Sequence, residues 1–146
     1  MSRRILPVCV GIVLAAGSYI VLWHSTAPLA LALLVHAGPS SQDCGHVALR
    51  SDGTASFQCF VAAATSGQPA RVSFALQGID SPVAVGLFSS NGSISRIDLS
   101  GPAYFEAGLP RLRQVQCASP AYAPSQTFQG VAIPVPVVAC NATSAP

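Results

Sequence analysis

The hydrophobic pattern of the chain begins with nineteen residues without a charge, residues 5–23. A helix of that length spans roughly 28 Å, close to the hydrocarbon thickness of a bilayer. Arg3 and Arg4 precede the run, and this placement of positive charge predicts a cytoplasmic N-terminus with the following chain outside. Tyr19 and Trp23 lie near the outer end, where aromatic rings favour the membrane interface. The pattern therefore predicts a transmembrane anchor.

A second apolar run, residues 28–37, is too short to span a bilayer again. Val35 and Ala37 form a V-x-A pattern, which is typical of a signal-peptidase site. Two interpretations remain open. The first run is an uncleaved anchor, which we favour because it is long enough to span by itself. Alternatively, residues 1–37 are a long signal peptide, and the rest of the chain is released after cleavage behind Ala37.

Beyond a short linker, the spacing of apolar residues predicts a helix between residues 51 and 69. Asp52 or Thr54 can cap its N-terminus, and Gly67 followed by Pro69 marks its end. Four apolar residues at helical spacing predict the buried stripe of this helix: Phe57, Phe60, Val61 and Ala64.

Strand patterns follow. Residues 71–77 alternate apolar and polar side chains, which predicts a half-buried strand. Residues 83–100 predict a hairpin around Asn91 and Gly92. Residues 111–117 predict a fourth strand, although their alternation is less regular.

The register of the hairpin depends on the length of its loop. A two-residue loop places Val85 opposite Asp98, so that apolar and charged side chains share a face. A three-residue loop, with Gly92 in a left-handed G1 bulge, places Val85 opposite Ile97 and gathers the apolar side chains on one face. Because a single buried face should select the register, we expect the three-residue loop.

These patterns predict one α+β domain over residues 44–146, joined to the N-terminal segment by a linker at residues 38–43. A short helix packs on an antiparallel sheet of about four strands, disulfides stabilise the domain, and a hydrophobic N-terminal helix precedes it. The C-terminal part is rich in proline, which excludes a central strand for most of it. We expect it to run extended over the surface until Val137–Cys140.

Four cysteines lie beyond the N-terminal run: Cys44, Cys59, Cys117 and Cys140. An even number in a small exported domain predicts disulfides, and we favour the pairs Cys44–Cys59 and Cys117–Cys140 because each joins near neighbours. The alternatives are a metal site or a cysteine nucleophile. Metal-ligand spacing is lacking, and His46 is the only histidine after the N-terminal segment. We therefore expect no metal and no cofactor.

Charge and composition narrow the classes of function. Five arginines balance five carboxylates after residue 37, so there is no basic surface of the kind that nucleic acid requires. Motifs for nucleophilic, nucleotide or zinc chemistry are also lacking, so we do not expect an enzyme. The chain has no lysine and two asparagines, residues with AT-rich codons, which indicates a GC-rich bacterial genome.

The function that best fits this pattern is a binding or assembly module of the cell envelope, tethered to the membrane through residues 5–23. The alternative is a released effector or inhibitor, secreted or periplasmic. The partner is then an unknown envelope protein. Its expected contacts are an exposed sheet edge and four side chains of the C-terminal part: Arg111, Arg113, Tyr122 and Phe128.

Overall fold

The computed structural model describes residues 26–76, 78, 83–101, 109–128, 131–133 and 137–142. The predicted anchor, residues 5–23, lies outside these ranges, and within them no helix is long and apolar enough to cross a membrane. The described residues form two helices, α1 (Ala27–Ala37) and α2 (Thr54–Thr65). Their strands are β1 (Gln42–Val47), β2 (Ala70–Leu76), β3 (Val83–Ser90), β4 (Ser93–Ser100), β5 (Arg111–Ala123), β6 (Gln126–Phe128), β7 (Val131–Ile133) and β8 (Val137–Ala142).

Six strands form one mixed sheet in the order β1-β2-β3-β4-β5-β8, and β6 pairs with β7 separately. Strands β1 and β2 are parallel, whereas the other neighbours in the sheet are antiparallel. The α+β class is confirmed, but the expected antiparallel sheet of about four strands is wrong. Parallel strands need a long crossover, and α2 supplies it between β1 and β2.

The two helices cover opposite faces of the sheet. Helix α2 packs against one face, and its core includes Phe60, Val72, Phe74 and Leu87. Helix α1 packs against the other face, where its cluster consists of Leu29, Leu33, Ala37, Ala84, Phe88, Ile97 and Leu99. The central strand β3 is therefore buried on both faces, from residue 84 to residue 89.

The predicted helix between residues 51 and 69 is confirmed as α2, but its N-cap is Gly53, without a side-chain capping hydrogen bond, and is neither Asp52 nor Thr54. It begins at Thr54, whose backbone N–H and hydroxyl both donate to the Asp52 carboxylate, at 2.9 and 2.6 Å. These two hydrogen bonds lower the pKa of Asp52, because they favour its charged form. The helix ends before Gly67, which adopts the left-handed φ of 77° that stops helices. In the predicted stripe, Phe60 is fully buried, whereas Phe57, Val61 and Ala64 are partly buried against the same core. Ala63, which the prediction left out, is buried as well.

The predicted hairpin register is wrong. Asn91 and Gly92 have φ values of 50° and 73°, as in the two-residue type I′ turn, and Val85 lies opposite Asp98. The prediction assumed one buried face, but α1 buries the second face of the hairpin as well. Gly86 allows this contact, because a Cβ there would lie 2.7 Å from the Leu33 methyl carbons.

In this register the charged side chains of Arg96 and Asp98 share a face with Val85, and both have partners there. Arg96 contacts Asp98 on the same strand, with Nε 2.5 Å from Oδ1. Its Nη1 donates to the Val138 carbonyl of β8, also at 2.5 Å. Because the guanidinium and the carboxylate compensate each other, neither leaves an unpaired charge beside the core.

The proline-rich part also departs from the prediction. Strand β5 includes the predicted 111–117 but continues through Pro120 to Ala123, and β8 pairs with this extension. Proline has no backbone N–H to donate, so a strand accommodates it where one edge has no neighbouring strand to bond. Strand β4 stops pairing at Cys117, so Pro120 has a strand neighbour on the β8 side alone among the described residues.

Candidate functional site

Both disulfides join the pairs that the sequence favoured. Cys44–Cys59 ties β1 to α2, with its Cα atoms 5.7 Å apart. Cys117–Cys140 ties β5 to β8, with its Cα atoms 5.2 Å apart. The cysteines therefore hold the two outer parts of the sheet, and their sulfurs are not available as ligands or nucleophiles.

A pocket of about 240 Å³ opens between α1 and the β1–β2 side of the sheet. Its apolar wall comes from α1, and its polar wall comes from the two strands. The lining residues are Ala30, Leu33, Asp43, Gly45, His46, Arg71, Val72 and Ser73. The polar ones form two hydrogen-bonded groups.

The first group is centred on Arg71, which is neutralised within the pocket. Its Nη2 donates to Asp43 Oδ2 at 2.9 Å, and its Nη1 donates to the Ser41 hydroxyl at 2.7 Å. The Gly45 backbone N–H also donates to Asp43, at 2.9 Å. This N–H lowers the pKa of Asp43 most, and Arg71 adds to the effect, whereas partial burial opposes it. The carboxylate therefore stays charged at neutral pH.

The second group pairs His46 with Ser73 across the parallel strands, with Nδ1 2.9 Å from Oγ. A serine beside a histidine is one part of a nucleophilic arrangement, but the histidine also needs a group that orients it. The pocket carboxylate, Asp43, is instead held by Arg71 and Gly45. The polar wall of the pocket therefore presents hydrogen-bond donors and acceptors that could bind a small polar group.

Sequence reasoning missed this pocket, because it needed a pairing that the local pattern does not encode. His46 and Ser73 are 27 positions apart in sequence. They lie side by side because β1 pairs in parallel with β2. The usable signal was the strand–helix–strand order of residues 42–76, which is typical of a parallel crossover. In the described part of the chain, no three His, Cys, Asp or Glu side chains converge as a metal site.

The structure separates the predicted partner residues into two environments. Arg111 and Arg113 are exposed at the start of β5, opposite Ser100 and Asp98 of β4. Strand β8 begins to pair at Cys117, so no described strand lies along the outer edge of residues 111–116. Two large apolar side chains are exposed beside the arginines, Leu109 by 76% and Leu112 by 45%.

Tyr122 is half-buried and packs against the core on the α2 side of the sheet, and it is not part of the edge that carries the two arginines. Its ring stacks on Phe57 and Phe74, at centroid distances of 5.6 and 5.3 Å, and its hydroxyl accepts a 2.8 Å hydrogen bond from the Gly53 N–H. Phe128 is the last residue of β6. The edge of β5 without a described neighbour is therefore formed by residues 111–116 and does not include Tyr122.

We expect Tyr122→Phe to lower the free energy of unfolding by about 1–3 kcal/mol, because the buried Gly53 N–H loses its acceptor while the ring stacking remains. Urea unfolding followed by circular dichroism measures the change. Tyr122→Leu also removes the stacked ring, so it should cost more. An unchanged urea midpoint for Tyr122→Phe would contradict a structural role for the hydroxyl.

Comparison of the chain with protein-family models, with curated proteins and with solved structures finds no match.

Proposed function

We propose that this chain is an extracytoplasmic binding or assembly module of the cell envelope, tethered to the membrane by residues 5–23, and that it holds its partner along the outer edge of residues 111–116. The observation that carries the proposal is the half-paired strand β5, whose first six residues have β4 on one side and no described strand on the other. We name this edge, residues 111–116, the open edge.

The open edge suits the addition of a strand from a partner. An edge strand presents unpaired N–H and C=O groups, and an extended segment can complete the ladder. Six residues at about 3.4 Å each give roughly 20 Å of pairing length. The pairing of residues 111–117 with β4 is continuous, without a bulge, so the strand presents a regular template.

Side chains on the open edge indicate which segment would fit. Arg111 and Arg113 share one face, and Leu112 lies on the other. A partner strand with acidic residues on one face and apolar residues on the other would match both. Acidic side chains opposite arginines stabilise a strand pair, whereas like charges there destabilise it. The proposed partner is therefore an extended acidic and apolar segment of an envelope protein.

Strand β1, the terminal strand at the opposite edge of the sheet, suits this role less well. Strand β1 pairs with β2 in a register that shifts between Asp43 and His46, and Gly45 lies between them with a φ of 94°. Irregular pairing is a feature by which edge strands avoid adding a further strand, and the pairing of residues 111–117 with β4 lacks it. Its Cys44 is also bridged to α2.

The packing of α1 supports the tethered version over the released one. Cleavage behind Ala37 would remove Leu29 and Leu33, which are 0% and 2% exposed, from the sheet face that they cover. The cysteine pairs support an oxidising compartment, since such bridges persist outside the cytosol. Both observations fit a domain that keeps its N-terminal segment outside the cytoplasm.

Site-specific photo-crosslinking of the full-length chain in intact cells tests the proposal. A photoreactive side chain at Gln114, on the open edge, should give one dominant adduct. The same side chain at Gln58, exposed on α2, should not. Arg111→Glu together with Arg113→Glu should reduce the adduct about tenfold, as a loss of about 1.4 kcal/mol would, whereas Arg50→Glu should leave it unchanged. Equal adducts from both positions, or indifference to the charge reversal, would overturn the proposal.

A further inference from the structure

Helix α1 is apolar on its outer face as well as on the face that packs on the sheet. Leu31, Leu34 and Val35 are 62%, 38% and 70% exposed, and we name these three residues the outer face of α1. Helix α1 contains no acidic residue, lysine or arginine, and His36 is its most polar side chain. A helix that is hydrophobic all round is buried in protein or lies in a membrane.

The other helix of the domain shows that this is not a general feature of its surface. Helix α2 covers the opposite face of the same sheet, and its outward positions carry small or polar side chains. These exposed residues are Ala55, Gln58, Ala62 and Thr65. Helix α2 is therefore polar or small on its solvent side, as a surface helix normally is, whereas the outer face of α1 is apolar.

The place of α1 in the chain indicates what covers its outer face. The charge-free run of residues 5–23 ends at Trp23. Only three residues, 24–26, separate it from Ala27, the first residue of α1. From Trp23 to Ala27 an extended chain reaches about 14 Å at most. If the run spans the bilayer, α1 has to begin close to the outer membrane surface.

We infer that the outer face of α1 lies in the interface of the membrane that anchors the chain, with the helix parallel to the membrane surface. Leu31, Leu34 and Val35 then enter the boundary between headgroups and acyl chains, as the apolar face of an interfacial helix does. This inference rests on the proposed tether. It adds an orientation: α1 faces the membrane, and α2, on the other face of the sheet, points away from it.

The chemistry of α1 sets the lipid preference. Interfacial helices that select anionic lipids carry lysine and arginine beside their apolar face, and α1 has neither. The contact should therefore form equally well on zwitterionic bilayers and should resist salt. A second copy of the chain is a poorer occupant. The exposed fractions of Leu31, Leu34 and Val35 together amount to less than two complete side chains. This area is far below the roughly 800 Å² that each partner buries in a stable protein–protein interface.

Quenching of tryptophan emission by bromine atoms on lipid acyl chains tests this inference on the full-length chain in phosphatidylcholine vesicles. Trp23 is the only tryptophan, so Trp23→Phe provides a background for single probes. Val35→Trp, or Leu31→Trp as a second position, should emit at shorter wavelength and lose most of its emission to the brominated lipid. Ala62→Trp on α2 is the matched control and should resist quenching. Added salt or anionic lipid should change neither result.

The outcomes separate this inference from the tether on which it rests. Native Trp23 reports the tether, because it should be quenched near the outer end of the span. Quenching of Trp23 without quenching at positions 31 and 35 overturns the inference and leaves the tether standing. A lack of quenching at Trp23 overturns both. Blue-shifted emission at position 35 that resists brominated lipid and grows with protein density would identify a second copy and overturn the membrane contact.

Discussion

Leu33→Ala should lower the free energy of unfolding by about 2–5 kcal/mol, whereas Leu31→Ala should change it by less than about 0.5 kcal/mol. The two leucines are in the same helix and lose the same atoms. Leu33 is 2% exposed and packs on the sheet, whereas Leu31 is 62% exposed. Urea unfolding of the full-length chain in detergent, followed by circular dichroism, measures both. Equal costs would show that α1 does not use the Leu33 face to bind the sheet.

A second substitution tests the same contact from the side of the sheet. A Cβ at Gly86 would lie 2.7 Å from both methyl carbons of Leu33, so Gly86→Ala should overpack the site at a cost of about 1–3 kcal/mol. In the Leu33→Ala background the added methyl group enters vacated space. The double variant should therefore lose less stability than the sum of the single variants. Simple additivity would contradict direct contact.

Removal of either disulfide should cost about 3 kcal/mol, and removal of both should lower the free energy of unfolding by about 6 kcal/mol. The bridged cysteines are 15 and 23 positions apart in sequence, and each bridge closes the loop between them. Without the bridge the unfolded chain gains conformational entropy, which favours unfolding. A small domain has a total stability of about 5–15 kcal/mol, so two such losses remove much of it. The variants are Cys44→Ala with Cys59→Ala, and Cys117→Ala with Cys140→Ala, measured by urea unfolding.

Reduction of the wild-type chain provides the control for the disulfide prediction. A reductant should shift its urea midpoint at least as far as the loss of either pair, and it should shift each variant by a smaller amount. Alkylation without reductant, followed by intact mass, should leave Cys44, Cys59, Cys117 and Cys140 unmodified. Labelling of these four thiols in protein isolated without reductant would contradict the bridges.

The two proposals give one arrangement of the domain at the membrane. With the outer face of α1 against lipid, α2 and the Cys44–Cys59 bridge face away from it. The open edge, residues 111–116, lies along the side of the sheet, between the two helix-covered faces. A partner strand added there would extend the sheet without displacing either helix.

Local features that depend on near neighbours could be predicted from the sequence. The extent of α2 depends on near neighbours: the Thr54 N–H at its start donates to the Asp52 carboxylate, and Gly67 ends it with a left-handed φ. Alternation of side chains predicted β2, and Asn91-Gly92 placed the turn of the hairpin. The disulfide pairs could also be chosen correctly, since each joins positions that are close in sequence.

Contacts between distant segments decided the rest. The register of β3 against β4 depends on α1, because a second covered face removes the reason to gather every apolar side chain on one side. The parallel pairing of β1 with β2 created the His46–Ser73 pair. The β4–β5 pairing ends at Cys117 of β5, and this made Pro120 acceptable within β5. The sequence by itself therefore determined helix α2, strands β2 to β4, the position of the hairpin turn and the cysteine pairs. The tertiary structure decided the register, the remaining strands and which faces are buried, because these are set by elements that pack from elsewhere in the chain.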